Sequence, residues 1–185
     1  MNYHSLKVAA EVIKAGGVVS YPTEHCFGLG CDPRNTQAIK RILDIKRRKK
    51  HKGLILIADQ LWRFNHYIRS IPIAHRQEVI DSWPGPFTWL IPARGNVSRW
   101  LRGRHNSIAI RVTKHPEARA LARMCAMPLV STSANRATKP VLVTHQEVSR
   151  VFKGEIDYVV EGRVGYASAP STIRNSINGQ VIRGA

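Results

Sequence analysis

Residues 54–58, with the sequence LILIA, are the segment that most constrains how this chain can fold. Five consecutive apolar residues without polar alternation are typical of a β-strand that is buried on both faces. Such a strand lies inside a sheet that is covered by helices. The run therefore predicts an α/β protein in which other segments supply the neighbouring strands and the covering helices.

Helix patterns and short strand patterns are mixed along the rest of the chain. A first helix is expected at residues 5–15, with Ser5 as its N-cap, and Pro116 suits the first turn of a later helix. The Asn-Gly pair at 178–179 separates two β-like runs and predicts a terminal hairpin. The expected helices are 5–15, 36–46, 60–69, 73–82 and 116–126, and the expected strands are 18–22, 54–58, 87–92, 107–112, 129–133 and 156–160, with the hairpin at 171–183. With no internal repeat or linker, we expect a single domain over residues 1–185, built on a mixed β-sheet flanked by helices.

The charge balance predicts an anionic partner. The chain has 29 Lys and Arg against 12 Asp and Glu, a formal net charge of +17. This excess favours nucleic acid, a nucleotide or a phosphorylated metabolite, since acidic residues would serve solubility equally well. The densest run, KRRKKHK at 46–52, follows a helix whose C-terminus itself attracts cations. If Lys46, Arg48 and Lys52 are to converge on one anion, the helix must end near residue 46.

No known backbone cradle for phosphate occurs in the sequence. A GxxxxGK[ST] motif is missing, and the pair Gly28 and Gly30 lacks the third glycine of a dinucleotide fingerprint because position 33 is Pro. Side chains must therefore hold most of any bound phosphate.

The cysteines and the apolar runs predict where the protein works. Three Cys without a CxxC pair indicate free thiols and a reducing compartment. His25, Cys26 and Cys31 match no zinc spacing, so no metal site is expected. No signal peptide is seen at the start, and no apolar run approaches the roughly 20 residues that span a membrane. We therefore expect a cytoplasmic protein without membrane contact.

Strand alternation places polar groups on one face of two predicted strands. In SIAIRV at 107–112, Ser107, Ala109 and Arg111 share the face opposite three apolar residues. Arg111 is expected either over a ligand cavity or in a buried ion pair. In LVSTSAN at 129–135, the hydroxyls at the strand end either bind a carboxylate or phosphate or form a turn or helix cap.

Several motifs in order identify a family resemblance. They are YPTE, FGLGCDP, K-x-R with a later Lys before GLILIA, WPGP, IAIRVTKHP, PLVSTSAN, PST and a closing Arg-Gly. From about residue 8 to 184 the chain resembles the YrdC/Sua5 family, most closely its short bacterial form. The resemblance implies a twisted α/β sheet with a large electropositive groove.

The resemblance also implies an activity. The family condenses L-threonine, bicarbonate or CO₂, and ATP into threonylcarbamoyl-adenylate, releasing diphosphate. Downstream threonylcarbamoyl-transfer proteins use the product on tRNA, and Mg²⁺ is expected with the nucleotide. The rival hypothesis is a non-catalytic module that binds double-stranded RNA or tRNA through its phosphates.

Site residues follow from the same resemblance. The signature that we expect to be catalytic is Lys46, Arg48, Ser133 and Asn135. The expected ATP contacts are Lys46, Arg48, Lys52, Ser107, Ser133 and Arg183, and the expected threonine contacts are His25, Arg111, Ser131 and Ser171. His25 and the residues after K-x-R and S-x-N depart from the family pattern. Glu24 is expected to be either a general base or an ion-paired carboxylate.

Overall fold

A nine-stranded mixed sheet organises the protein in a computed structural model that describes residues 1–184. The strands are β1 (Val19–Pro22), β2 (Phe27–Gly30), β3 (Ile55–Ala58), β4 (Phe87–Pro92), β5 (Ser107–Val112), β6 (Leu129–Ser133), β7 (Tyr158–Val159), β8 (Thr172–Asn175) and β9 (Val181–Arg183). The helices are α1 (Tyr3–Lys14), α2 (Thr36–Ile45), α3 (Arg76–Asp81), α4 (Arg99–Arg102), α5 (Pro116–Cys125) and α6 (His145–Val151). The predicted α/β class is confirmed.

The strand order is β7-β1-β2-β6-β3-β5-β4-β8-β9, and β3 lies in the middle of it. It pairs parallel to β5 and antiparallel to β6. The pairs β1–β7 and β4–β8 are also parallel, and the remaining pairs are antiparallel. An interior strand was predicted from residues 54–58, and its neighbours on both sides confirm that prediction.

One face of the sheet carries the main core. The register aligns Val130, Leu56, Ile110 and Trp89 in a row across β6, β3, β5 and β4. All four side chains are fully buried and pack in one cluster with apolar residues of α2, α3 and α4. Burying several large apolar side chains stabilises the fold by about 1.5–3 kcal/mol each.

The opposite face is covered only in part. Helices α1 and α5 pack together there, and their apolar residues form a second cluster with Ile57 and Leu129. The central strands extend beyond this cover, which leaves part of their face open. Among residues 1–184, no helix is both long and apolar enough to cross a membrane.

Two local predictions were wrong. The N-cap of α1 is Asn2, whose Oδ1 accepts from the backbone N of Ser5 at 3.1 Å. Ser5 itself is buried, and its hydroxyl oxygen accepts from the Tyr158 hydroxyl of β7 and from the backbone N of Glu161. The helix predicted at 60–69 is only a 3₁₀ turn at Leu61–Phe64. Beyond it, the backbone N of Arg69 donates to the carbonyl of Pro92, so pairing with the end of β4 replaces helical hydrogen bonds.

Candidate active site

A groove of about 350 Å³ lies on the open part of the sheet. The register places Ser131, Ile55, Ala109 and Leu90 side by side across four adjacent strands, and all four line this groove. They form the row next to the buried row of Leu56, because successive side chains of a strand point to opposite faces. The predicted alternation of β5 is therefore confirmed, with its polar face turned to the groove.

The groove wall is rich in cations. Five Lys and Arg side chains line it, and the described lining residues include no Asp or Glu: the five are Arg48, Lys52, Arg102, Arg111 and Arg183. Burial lowers the pKa of the Arg48 guanidinium, and the charge of Arg183 lowers it further. Burial and the charge of Arg111 likewise lower the pKa of Arg183. These clustered charges favour a bound anion, which would reduce their mutual repulsion.

The end of α2 directs the first two signature residues. Lys46 is the C-cap of this helix, and Arg47 follows with a left-handed φ of 48°. The backbone N of Arg47 donates to Asp44 at 2.9 Å and that of Arg48 to Leu43 at 2.8 Å, the bonding pattern of a Schellman motif. The helix thus ends where convergence of the basic run requires it. The motif turns Lys46 inward and sends Arg48 to the groove.

Lys46 lies behind the groove wall in this structure. Its side chain is 5% exposed, and Nζ donates to the carbonyls of Ser133 at 2.5 Å and Asn135 at 2.8 Å, and to Asn135 Oδ1 at 3.0 Å. Burial lowers the pKa of Lys46 to about 8, and the charge of Arg48 contributes. Lys46 therefore clasps the end of β6 and the loop that follows it.

The side chain of Arg136 anchors the same loop. It forms a fork with the Glu155 carboxylate and donates to the carbonyl of Ile45 at 3.1 Å. In this chain Arg136, one of the residues after S-x-N that depart from the family pattern, thus fixes the loop to the end of α2. Asn135 Nδ2 donates to the carbonyl of Lys139 at 2.6 Å and closes the loop on itself.

A second part of the groove is lined by His25, Arg111, Ser131 and Ser171. Within it, Arg111 is also ion-paired. Its Nη2 lies 3.1 Å from Oε2 of Glu24. Glu24 Oε1 accepts from the Thr113 hydroxyl at 2.7 Å and from the backbone N of Lys114 at 2.9 Å. Burial alone would raise the pKa of Glu24, but Arg111 and these donors hold it below its usual value. The two interpretations of Arg111, a ligand contact or an ion pair, are therefore compatible.

Three more predicted residues of the groove are held by hydrogen bonds. The Nδ1 of His25 lies 3.0 Å from the Ala167 carbonyl and donates to it, so that in the neutral ring Nε2 is an acceptor. The hydroxyl of Ser171 lies 2.8 Å from that of Thr88, and Arg183 Nη2 donates to the Ser171 carbonyl at 2.6 Å. Ser171 and Arg183 thus join the two parts of the groove.

The structure brings most of the predicted site residues together. Nine of them line the groove: His25, Arg48, Lys52, Ser107, Arg111, Ser131, Ser133, Ser171 and Arg183. Lys46 and Asn135 do not reach its wall. Sequence reasoning missed Thr23, Cys26 and Arg102, which also line it, whereas Thr132, another lining residue, is one of the strand-end hydroxyls already singled out as candidate ligand contacts. Thr23 and Cys26 flank the His25 already selected, which was the available signal, whereas Arg102 lies on a short helix that showed no periodicity.

Comparison with known proteins decides the family. A family model named for Sua5, YciO and YrdC, with the description "Telomere recombination", matches residues 11–185. The chain belongs to the Sua5/YciO/YrdC family. Threonylcarbamoyl-AMP synthase of Nitrosococcus oceani is 47% identical over 178 residues, and the match covers 96% of each chain. The Methylobacillus flagellatus protein of the same name is 47% identical over 171 residues, which cover 92% of this chain and 94% of the relative.

A solved structure of the family has the same fold. P. abyssi Sua5 complexed with L-threonine matches with a TM-score of 0.86 and 28% identity. The match covers 92% of this chain and 50% of that one, so this member of the Sua5/YciO/YrdC family spans about half the length of the solved Sua5 chain.

Proposed function

We propose that this protein is an L-threonylcarbamoyladenylate synthase, a nucleotidyltransferase acting on ATP. It converts L-threonine, bicarbonate or CO₂, and ATP into threonylcarbamoyl-adenylate and diphosphate, for threonylcarbamoyl modification of tRNA. The observation that carries the proposal is 47% identity to a threonylcarbamoyl-AMP synthase along 96% of both chains. The groove supports the proposal, because its Lys and Arg side chains can bind the phosphates of ATP and its other polar side chains can bind an amino acid. A module that only reads RNA shape does not require such a groove.

The cationic part of the groove is proposed to bind ATP. Arg48, Lys52 and Arg183 neutralise the phosphates, and Ser107 donates a hydroxyl hydrogen bond. Ser133, whose hydroxyl donates to Asn135 Oδ1 at 2.8 Å in the structure, redirects this proton to the bound nucleotide. Arg48 is pre-oriented because its Nε and Nη2 donate to the Gly53 carbonyl at 3.2 and 3.0 Å. Charge-assisted bonds of this kind are about twice as strong as neutral ones.

Lys46 and Asn135 complete the proposed nucleotide site from behind the wall. Their clasp holds Ser133 at the end of β6, and a phosphate that approaches this loop offers Lys46 a better acceptor than a carbonyl. Both residues thus retain the catalytic role expected of the signature.

The polar part of the groove is proposed to bind threonine. Arg111 takes the carboxylate, because a guanidinium fork matches its geometry. Ser131 and Ser171 lie on either side of Arg111 along the groove lining, and His25 Nε2 is free to accept the threonine hydroxyl. These four contacts would place the amine between the carboxylate end and the phosphates.

The chemistry needs positioning more than a dedicated nucleophile. The neutral amine of threonine adds to CO₂ and loses one proton to give a carbamate. With bicarbonate, the same carbamate forms with loss of one water and no net release of a proton. A carbamate oxygen then attacks the α-phosphorus of ATP, and the bond to diphosphate breaks. The groove contributes by aligning the two reactants and by neutralising the charge that develops on the phosphates.

We propose that Mg²⁺ enters the site only when it is bound to the nucleotide. Among residues 1–184 no three His, Cys, Asp or Glu side chains form a candidate metal cluster, and the described groove lining carries no carboxylate. The described groove lining thus offers no carboxylate ligand of the kind that Mg²⁺ prefers. An incoming ion would be held by the phosphates and water.

We propose that the protein acts in the cytoplasm, contacts RNA and passes its product to downstream transfer proteins. The basic residues around His51 favour RNA contact: desolvation lowers the pKa of His51, and the charges of Arg104, Lys49, Lys52 and His105 lower it further. This cluster continues from the groove lining, where Lys52 and His105 also lie.

Labelled bicarbonate tests the proposed reaction. The protein is incubated with ATP, L-threonine and ¹³C-bicarbonate, and the adenylate fraction is analysed by mass spectrometry. The proposal predicts one product that contains threonine, AMP and a single ¹³C atom. A labelled product that lacks AMP, or no labelled product, would contradict it.

A further inference from the structure

Unsatisfied polar atoms cluster around Arg111, which lines the amino-acid part of the groove. Three buried side-chain N or O atoms among residues 1–184 lack a hydrogen-bond partner: Glu24 Oε2, Arg111 Nε and His115 Nδ1. Buried polar atoms are normally paired, because an unpaired one costs about 1–3 kcal/mol. Two of the three belong to the same ion pair, which therefore has capacity for a further contact.

Glu24 and Arg111 differ in their access to the groove. Arg111 is part of the lining, whereas Glu24 is not, so the carboxylate lies behind the guanidinium. Glu24 Oε1 accepts from Thr113 and Lys114, whereas Oε2 is held only by its ion-pair contact with Arg111. Its lowered pKa also keeps it ionised at neutral pH. A general base would instead need access to the substrate and a raised pKa.

We infer that Glu24 is a positioning residue that holds Arg111 in the orientation needed to receive the substrate carboxylate. Oε1 is fixed by two donors from the chain after β5, which fixes Oε2 against Nη2 of Arg111. The guanidinium then cannot swing into the groove or away from it. A carboxylate bound on the remaining edge of the fork would satisfy Nε.

The backbone of Glu24 supports the same part of the site. Its carbonyl accepts from the backbone N of Ala167 at 3.0 Å, and the carbonyl of Ala167 fixes His25. One residue therefore orders two proposed threonine contacts, Arg111 through its carboxylate and His25 through its carbonyl. This inference rests on the proposed function, since it concerns the carboxylate of threonine.

Two ligands that differ only in the carboxylate can distinguish a specific effect of Glu24 on Arg111 from a general disruption of the site. L-Threonine and L-threoninol, which has a hydroxymethyl group in its place, are titrated by calorimetry into the wild type and Glu24→Gln. The Gln side chain keeps the shape but loses the charge that restrains Arg111. We expect Kd for threonine to rise about tenfold, while Kd for threoninol stays within roughly twofold.

A buried carboxylate outside the groove supplies the matched control. Asp59 is 2% exposed and is paired with Arg63 and Arg123, and none of the three lines the groove. Asp59→Asn should lower Tm but leave both Kd values within roughly twofold, because the sites are independent. If Glu24→Gln does not fold, Thr113→Val removes one donor that fixes Glu24 and should weaken threonine binding in the same selective way.

The outcomes are distinct. Wild-type protein that binds no threonine would overturn the proposed function and this inference together. Wild-type binding with an unchanged threonine Kd in Glu24→Gln would overturn the inference alone. An equal loss of threonine and threoninol binding would also overturn it, because that result indicates general disruption.

Discussion

Lys46 and Asn135 are bound to each other twice: Nζ of Lys46 donates to the Asn135 carbonyl at 2.8 Å and to its Oδ1 at 3.0 Å. The contact joins the end of α2 to the loop after β6. Because Nζ also binds the Ser133 carbonyl, the cation fixes the strand end that faces the groove. Three of the four signature residues, Lys46, Ser133 and Asn135, therefore form one hydrogen-bonded unit from two distant segments, and the fourth, Arg48, is bound separately to the Gly53 carbonyl.

The first prediction concerns Lys46 and Arg48, the two cations of the signature. Lys46→Ala and Arg48→Ala should each abolish most adenylate formation, because each removes charge-assisted contacts worth about 1.5–3 kcal/mol, or more for a contact to the transition state. Lys49→Ala, an exposed charge next to Arg48, is the control and should retain activity. Initial rates with all substrates saturating measure the effect. Wild-type activity in both variants would remove the proposed phosphate role.

The pKa of Lys46 makes stability depend on pH. Burial lowers it from 10.5 to about 8, so between these values the unfolded chain binds the proton and the folded chain releases it. Under this linkage the free energy of unfolding rises with pH. Relative to Lys46→Met, the wild type should gain about 1–3 kcal/mol from pH 8 to 10.5 in urea denaturation. A constant difference would mean that the three carbonyl and amide acceptors keep the ammonium charged.

Arg111 should separate the two substrates. Arg111→Lys keeps the positive charge but loses the fork, so the KM for threonine should rise by about tenfold or more and the KM for ATP much less. Tm should also fall modestly, because Lys pairs less well with Glu24. An unchanged KM for threonine with a lowered Tm would leave Arg111 only a structural role.

Binding of RNA should be electrostatic and independent of sequence. If the basic cluster around His51 contacts phosphates, log K should fall linearly with log salt, with a slope of about −0.9 per phosphate neutralised on a duplex. Titrations of unrelated duplexes at several salt concentrations measure this slope. A strong preference for one short sequence at equal salt would contradict the prediction.

Alternation of polar and apolar residues made the sheet and the groove face predictable. In β5 the pattern alone assigned Ser107 and Arg111 to one face and Ile110 to the other, as the structure has them. The end of α2 at Ile45 also agrees with the helix expected at 36–46, although Lys46 turns behind the groove wall and does not converge with Arg48 and Lys52. Both inferences depend on local periodicity, which a single sequence records.

Other features depend on contacts that no local pattern records. Strand β2 was missed because it contains two glycines and has little β propensity; a Cβ on Gly30 would lie 2.4 Å from the Val130 carbonyl of the neighbouring strand. The helix predicted at 60–69 failed because its backbone pairs with the segment after β4. Likewise, Lys46 is drawn behind the wall by carbonyls 87 and 89 residues away in sequence.

Diphosphate release from ATP in the absence of RNA tests the central claim most directly. Nuclease-treated protein is assayed with ATP, L-threonine and bicarbonate together and with each one omitted in turn. The account predicts diphosphate release that requires all three compounds and is largely lost in Arg48→Ala. Release that continues without threonine or bicarbonate, or no release from folded wild-type protein, would contradict it.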